Sequence, residues 1–292
     1  MKSITRKGLN FIQKIGATPI LLKIVHLPAV NSFFSFWEKR SLDDYRREYL
    51  LLKKYLDKAG LSLSGLSVLE VGSGGSVGMG YFFVAAGCKS WLATDLYSNL
   101  LTDANWIRNE KKIVGEISKK YWSEVKSFIK FNGDKIKIKP PFKFRKLDIT
   151  HFNKSFENTF DVVISQAVFE HIDRKKLPAA IKNLSRYIKK GGIMIHEIDL
   201  RDHINVICPL NFYRYGEDRW NKLTRGTIFY TNRLRASDYK KEFMINDLQE
   251  IFCRSEVEKK ALAPAPAISK DFQRYSKADL ATTKLFTILI KH

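Results

Sequence analysis

The feature that most constrains this chain is VLEVGSGGSVGMG at residues 68–80, an apolar run containing one acid, followed by a segment with five glycines. A short run rich in Val and Leu reads as a buried strand. Glycines directly after it permit positive φ and let the backbone approach a ligand closely. When a helix follows such a turn, its free N–H groups face the crevice at the carboxyl end of the strand, where nucleotide-type ligands sit in α/β folds.

The rest of the chain supplies the sheet such a turn needs. Apolar runs at 67–71, 91–96, 144–149, 160–166 and 192–199, rich in Val, Ile and Phe, each read as a buried strand. Tyr45, Tyr49, Leu52 and Leu56 form one stripe of a helix over 42–58 that ends near Gly60. In LPAAIKNLSRYIKKGG, Leu177, Ile181, Leu184 and Ile188 share a helical face, and Gly191 and Gly192 stop the helix. Strands alternating with helices predict a doubly wound α/β fold with a parallel sheet and right-handed crossovers. Residues 237–252 read as a further amphipathic helix, and VEKKALAPA and KLFTILIKH as strands.

The spacing between the second and third strands is abnormal. Asp95 to Asp148 spans 53 residues, whereas a βαβ unit needs about 30. The surplus, about 103–143, contains the helical KKIVGEISKKYWSEVKSFIKF and then KIKIKPP. From Glu110 to Lys146 there are twelve Lys or Arg against four acids, an excess of eight positive charges. This insert is the best sequence candidate for a basic contact surface.

The whole chain, 292 residues long, carries a net charge of +21. That balance suits a polyanion such as nucleic acid, or an anionic membrane, but dispersed lysine also simply decorates solvated faces. Residues 1–37 contain no acid, and Lys2, Arg6, Lys7, Lys14 and Lys23 alternate with apolar groups. They read as a helical cap packed on the domain, as a peripheral contact with anionic lipid, or as an organelle presequence. No run of 18 apolar residues is present, so no transmembrane segment is expected. Cys88, Cys208 and Cys253 form no CxxC pair, which points to a reducing, cytoplasmic setting. The domain plan is a basic helical extension over 1–60 and an α/β domain over 61–292, with the insert at 103–143 and a lid segment at 200–236.

The turn alone suits two ligand classes, dinucleotides and S-adenosylmethionine. Glu70 favours the second, because an acid ahead of the first glycine can hold the cationic methionine end but would repel a pyrophosphate. Asp95, at the end of LATDL, suits the ribose hydroxyls of either ligand.

In order, VLEVGSGG, LATDL, KLDIT, FDVVISQAVFEHI and YIKKGGIMIHEIDL resemble the successive motifs of class I S-adenosylmethionine-dependent methyltransferases of the broad methyltransferase-11 type. The resemblance spans Leu61 to the C-terminus. It implies a Rossmann-like, seven-stranded, mostly parallel sheet with a reversed last strand, which KLFTILIKH suits. It also implies that Glu70, Gly72, Ser73 and Gly74 cradle the methionine portion, that Asp95 and Leu96 meet the ribose, and that Asp148 and Ile149 address the adenine. Ser165, Gln166 and Ala167 would line the methyl end. One departure is Gly75 followed by Ser76, where the commonest loop has a third alternating glycine.

Methyl transfer from a sulfonium needs in-line alignment and exclusion of water, plus a base when the acceptor is a hydroxyl or protonated amine. Candidates for that base are His203, in DLRDH, and His171, in FEHI, with Asp199 in the same constellation. Arg201, Asp202, Tyr213, Arg214, Tyr230 and Arg233 read as substrate-side groups or as lid packing. No compact carboxylate set or HxxxH spacing is evident, so no metal site is expected. DLRDH, NFYRYGEDRW and YTNRLR also resemble a bacterial subgroup associated with sugar or surface-polysaccharide metabolism, which implies a small-molecule or glycan-linked acceptor. The alternatives are an RNA methyltransferase that uses the basic insert, and a binding protein of this fold without turnover.

Overall fold

The computed structural model describes residues 40–97, 100–205, 208–227, 229–258 and 268–292. The expectations for residues 1–37 and for most of VEKKALAPA lie outside the described residues. The first element is α1 (Leu42–Lys58), closed by a capping box in which the Ser41 hydroxyl accepts the Asp44 N–H and the Asp44 carboxylate accepts the Ser41 N–H. Its buried face of Leu42, Tyr45, Leu52, Tyr55 and Leu56 joins the core of the α/β domain. Tyr45 lies so close to Gly78 that a Cβ there would meet its ring at 2.4 Å.

There follow β1 (Ser67–Val71), α2 (Gly78–Ala85), β2 (Ser90–Asp95), α3 (Ala104–Lys120), α4 (Val125–Phe128), β3 (Ile129–Asn132), β4 (Lys135–Ile138) and β5 (Phe142–Lys146). The second half is β6 (Phe160–Gln166), α5 (Leu177–Tyr187), β7 (Ile188–Asp199), α6 (Glu217–Thr224), α7 (Ala236–Ile245), β8 (Leu248–Val257), α8 (Lys277–Ala281) and β9 (Thr282–Lys291). Seven strands form one sheet in the order β5-β2-β1-β6-β7-β9-β8. All neighbours are parallel except β9, which runs antiparallel to both β7 and β8.

Successive residues of a strand face opposite sides of a sheet, and the core divides accordingly. Val68, Trp91, Ala93 and Phe142 pack beneath α1, α2 and α3, while Leu69, Val163, Met194 and Leu285 pack beneath α5 and α7. A third cluster, centred on Phe212, Tyr213, Trp220 and Phe272, forms a small cap following β7. No helix among the described residues is long and apolar enough to cross a membrane.

The insert is more deeply integrated than its charge suggests. Ile113, Val114 and Ile117 of α3 and Val125 of α4 enter the first core, leaving Lys130, Lys135, Lys137 and Lys139 exposed on and beside the β3–β4 hairpin. The helix expected over 237–252 is instead α7 followed by β8. It stops where Asp247 takes φ +57, after which the backbone pairs with β9.

Candidate active site

The turn between β1 and α2 is built on three left-handed glycines, Gly72, Gly74 and Gly75, with φ between +68 and +72. The N–H groups of Gly72 and Ser73 donate to the Thr94 carbonyl at 2.8 and 2.9 Å, binding the turn to β2. Asp95 accepts from Gly74 N at 2.9 Å and from Tyr97 N at 2.8 Å, so one carboxylate braces the turn and the segment after β2. A Cβ on Gly72 would lie 2.3 Å from Val168 Cγ2, whereas one on Gly74 would meet nothing within 4 Å. The Ser73 hydroxyl is buried without a hydrogen-bond partner among the described residues. The turn is thus fastened on its sheet side, open at Gly74, and holds a polar atom awaiting a partner, as a cradle for a nucleoside ligand requires.

Two buried acids lie around this cradle. Glu70 accepts from Trp91 Nε1 at 2.7 Å, and burial pushes its carboxyl up to about 8 against the opposing pull of Trp91 and Arg40. Glu110, fully buried on α3, accepts from Ser76 Oγ at 2.6 Å, from Val77 N at 3.3 Å and from the Tyr81 hydroxyl. Sequence reasoning missed Glu110 because an acid in a lysine-rich helix looks solvated. Its only signal was its place on the apolar stripe with Ile107, Ile113, Val114 and Ile117.

The carboxyl ends of β6 and β7 bring the two candidate histidines together. His171 and His203 have ring centroids 5.0 Å apart. His171 Nδ1 lies 2.8 Å from the Tyr230 carbonyl, which can only accept, so Nδ1 carries the proton and Nε2 the lone pair. Burial holds His171 below the usual imidazole range and takes His203 down to about 3, despite the opposing charge of Asp199. Both rings are neutral. Asp199 forks onto Arg201 at 2.8 and 2.5 Å and lies 3.8 Å from His203 Nε2. Burial would raise its carboxyl, but the hydrogen bonds and charge of Arg201 outweigh that and hold it well below the usual carboxylate range. Ala167 adopts φ +52, an uncommon conformation for a residue with a Cβ, immediately after β6.

Other expected residues have divided roles. Ser165 is buried and hydrogen-bonded to His196 Nδ1 at 2.7 Å, while Gln166 is half-buried and Ala167 exposed. Leu96 is exposed beside Asp95, and Ile149 is buried. Asp148 accepts from the Thr150 N–H and hydroxyl and contacts His151; these together outweigh burial and lower its pKa. Three of the expected substrate-side residues make hydrogen bonds within the cap. Asp202 accepts from Ile204 N and Asn205 N, and Tyr213 donates to the Leu280 carbonyl. Arg233 donates to the Phe212 and Tyr215 carbonyls and pairs with Glu217 at 2.8 Å. Arg214 is exposed and Tyr230 half-buried. Glu170, Asp199, Arg201, Phe212, Asn232 and Arg233 line one narrow crevice, too tight in this structure to admit a water molecule. In the sequence Asn232 reads as a pocket-wall or lid-packing residue beside Tyr230 and Arg233. It donates to the Phe169 and Ile172 carbonyls, and its N–H donates to the Glu170 carbonyl, clamping the loop after β6 to the cap.

Residues 69–196 match the family model of a methyltransferase domain of the methyltransferase-11 type. No curated protein matches the sequence. Among solved structures, a protein from Galdieria sulphuraria provisionally described as a sarcosine dimethylglycine methyltransferase is 13% identical, with TM-score 0.51 over 85% of this chain and 86% of its own. A SAM-dependent methyltransferase from Methanosarcina mazei is 12% identical, with TM-score 0.48 over 82% and 96% of the two chains. One from Listeria monocytogenes, provisionally assigned as S-adenosylmethionine dependent, is 13% identical, with TM-score 0.46 over 81% and 95%. The first likeness speaks for the fold and the family model for the chemistry. Joined to the reversed strand β9 and the glycine turn, they identify the chain as a class I S-adenosylmethionine-dependent methyltransferase.

Proposed function

We propose that this enzyme methylates an oxygen or nitrogen atom of a small-molecule or glycan-linked acceptor, in the crevice where the loops after β6 and β7 meet. The observation that carries the reading is the neutral pair His171 and His203 beside ionised Asp199, at the carboxyl ends of the strands that follow the glycine turn. S-adenosylmethionine, when bound, supplies an electrophilic methyl carbon on a sulfonium centre. Glu70, Gly72, Ser73 and Gly74 hold its methionine end, Asp95 and Leu96 its ribose, and Asp148 and Ile149 its adenine. Gln166 and Ala167 border the reacting end, with Ser165 supporting them from within the sheet through His196. His203 takes the acceptor's proton, and Asp199 stabilises the imidazolium that results. Arg201, Arg214 and Tyr230 are the substrate-side groups, whereas Asp202, Tyr213 and Arg233 keep the cap in shape.

The test follows S-adenosylhomocysteine release over a panel of hydroxyl and amine acceptors. His203→Ala is expected to keep cofactor binding in calorimetry and to lower turnover about 100-fold or more. Unchanged turnover would remove His203 as the base. Product-free incubation with every acceptor, despite tight cofactor binding, would favour a binding protein without turnover.

An RNA acceptor is the second reading, favoured by the exposed lysines of the β3–β4 hairpin. We place the reaction in the cytoplasm, in keeping with unpaired Cys88, Cys208 and Cys253. A peripheral contact of residues 1–37 with anionic lipid belongs to the same proposal, and co-sedimentation with anionic vesicles tests it.

A further inference from the structure

One acid in the crevice has no part in the chemistry above. A carboxylate oxygen of Glu170 and one ring nitrogen each of His171 and His203 lie within 4.8 Å of one another. Glu170 and His171 belong to the loop after β6 and His203 to the loop after β7. The parallel pairing of those strands is therefore what assembles the cluster. Glu170 is 1% exposed. Its Oε1 accepts the Asp199 N–H at 3.2 Å, yet Oε2 has no hydrogen-bond partner among the described residues. A buried carboxylate oxygen left without a donor is costly and calls for an explanation, and a bound ion is one of the standard ones.

The surroundings supply a second observation. His171 gives its Nδ1 proton to the Tyr230 carbonyl, the outer hydrogen bond that fixes tautomer and orientation in metal-ligating histidines. Asp199, held by Arg201, lies 3.8 Å from His203 Nε2 and stands as the outer carboxylate on that side. Asn232 fastens the Glu170–His171 segment from the cap, so two of the three side chains sit on a braced loop.

We propose that Glu170, His171 and His203 form a binding site for a divalent metal ion of the zinc class, with the acceptor's oxygen completing its shell. Two imidazoles and one carboxylate are the donor set of catalytic zinc sites that keep a position open, whereas magnesium and calcium prefer oxygen alone. Donor atoms bound tetrahedrally at about 2.1 Å are roughly 3.4 Å apart, so side-chain rotation of about 1 Å draws the three together. No HxxxH spacing announces such a site in the sequence, because its ligands come from two loops. This departs from the expectation of no metal.

The inference rests on reading the crevice as the acceptor site. With the ion bound, the His203 lone pair is spent on the metal, so in that state His203 is a ligand and not the base assigned to it above. The acceptor hydroxyl then coordinates through oxygen and gives its proton to bulk water. That oxygen forms the bond to the methyl carbon while the carbon–sulfur bond breaks, its electron pair leaving on sulfur.

The experiment titrates metal-stripped full-length protein with Zn²⁺ by calorimetry and with Co²⁺ by visible absorption. One ion per chain is expected, with the d–d bands of a four- or five-coordinate cobalt site. Glu170→Gln, His171→Gln and His203→Gln should each weaken binding tenfold or more. His203→Gln, at a less buried position, keeps the test decisive if the Glu170 variant fails to fold. No stoichiometric binding, or binding indifferent to all three substitutions, would overturn the site. The two readings fail separately: stoichiometric binding without methyl transfer to any acceptor removes the acceptor chemistry and leaves the metal site. Full-rate transfer by metal-stripped protein does the reverse.

Discussion

Glu70 shows how one residue can link the cofactor turn to pH. Its burial, opposed by Trp91 and Arg40, raises its carboxyl to about 8, so in the free protein it is protonated at neutral pH. A cationic methionine end favours the ionised form, so binding should release a proton below about pH 8, and affinity should rise with pH up to that point and then level. Calorimetry in buffers of different ionisation enthalpy checks this, and Glu70→Gln should abolish both the proton release and the slope. Folding has the opposite sign to binding. A carboxyl raised in the folded state stabilises below its unfolded range and loses that contribution as pH climbs to about 8. The position of Glu70 was legible in the sequence, because an acid between a strand and a glycine turn has few roles. Its proton was not, since that depends on how deeply the fold buries the side chain, against the opposing hydrogen bond from Trp91.

At the scale of elements, strands buried on both faces were read most faithfully. The 67–71 and 160–166 runs coincide with β1 and β6, because near-continuous Val and Ile leave little else for the backbone to do. β8 was misread as helix over its first half, 248–252, for the opposite reason. It is an edge strand with most residues exposed, so LQEIFCRSEV carries no apolar alternation, and only pairing with β9 makes it extended. α3 was recognised as a helix within a basic insert, but not as the buttress of the glycine turn. Glu110→Gln keeps the size of the side chain while replacing an acceptor oxygen by a donor amide facing Ser76, Val77 and Tyr81. We expect a loss of about 1–3 kcal/mol in chemical unfolding, with weaker cofactor binding. Unaltered cofactor affinity in a destabilised variant would show that α3 supports the fold and not the turn.

For the molecule as a whole, a charge of +21 has to be reconciled with a site whose ionisable groups are largely buried or paired. The exposed excess on the β3–β4 hairpin includes Lys130 directly opposite Lys137, a like-charge pair that does nothing for the hairpin itself. If the acceptor is small, turnover should change little between about 50 and 200 mM salt. An RNA acceptor gripped through six or more phosphates would lose about 1,000-fold in affinity over that range. Measuring the Michaelis constant at both salts therefore separates the two acceptor classes. Net charge alone could not, because the same lysines serve solvation and contact equally well in a sequence.

The reversed strand carries a consequence for how this polypeptide matures on the ribosome. β9 follows β8 in synthesis yet lies between β7 and β8 in the sheet. Until translation has passed Lys291, β8 has no neighbour to zip onto and the apolar flank of β7 stays bare. The nucleoside-binding half can condense early, so nascent chains should pause as half-finished sheets in which a waiting edge is the vulnerable surface for chaperones to shield.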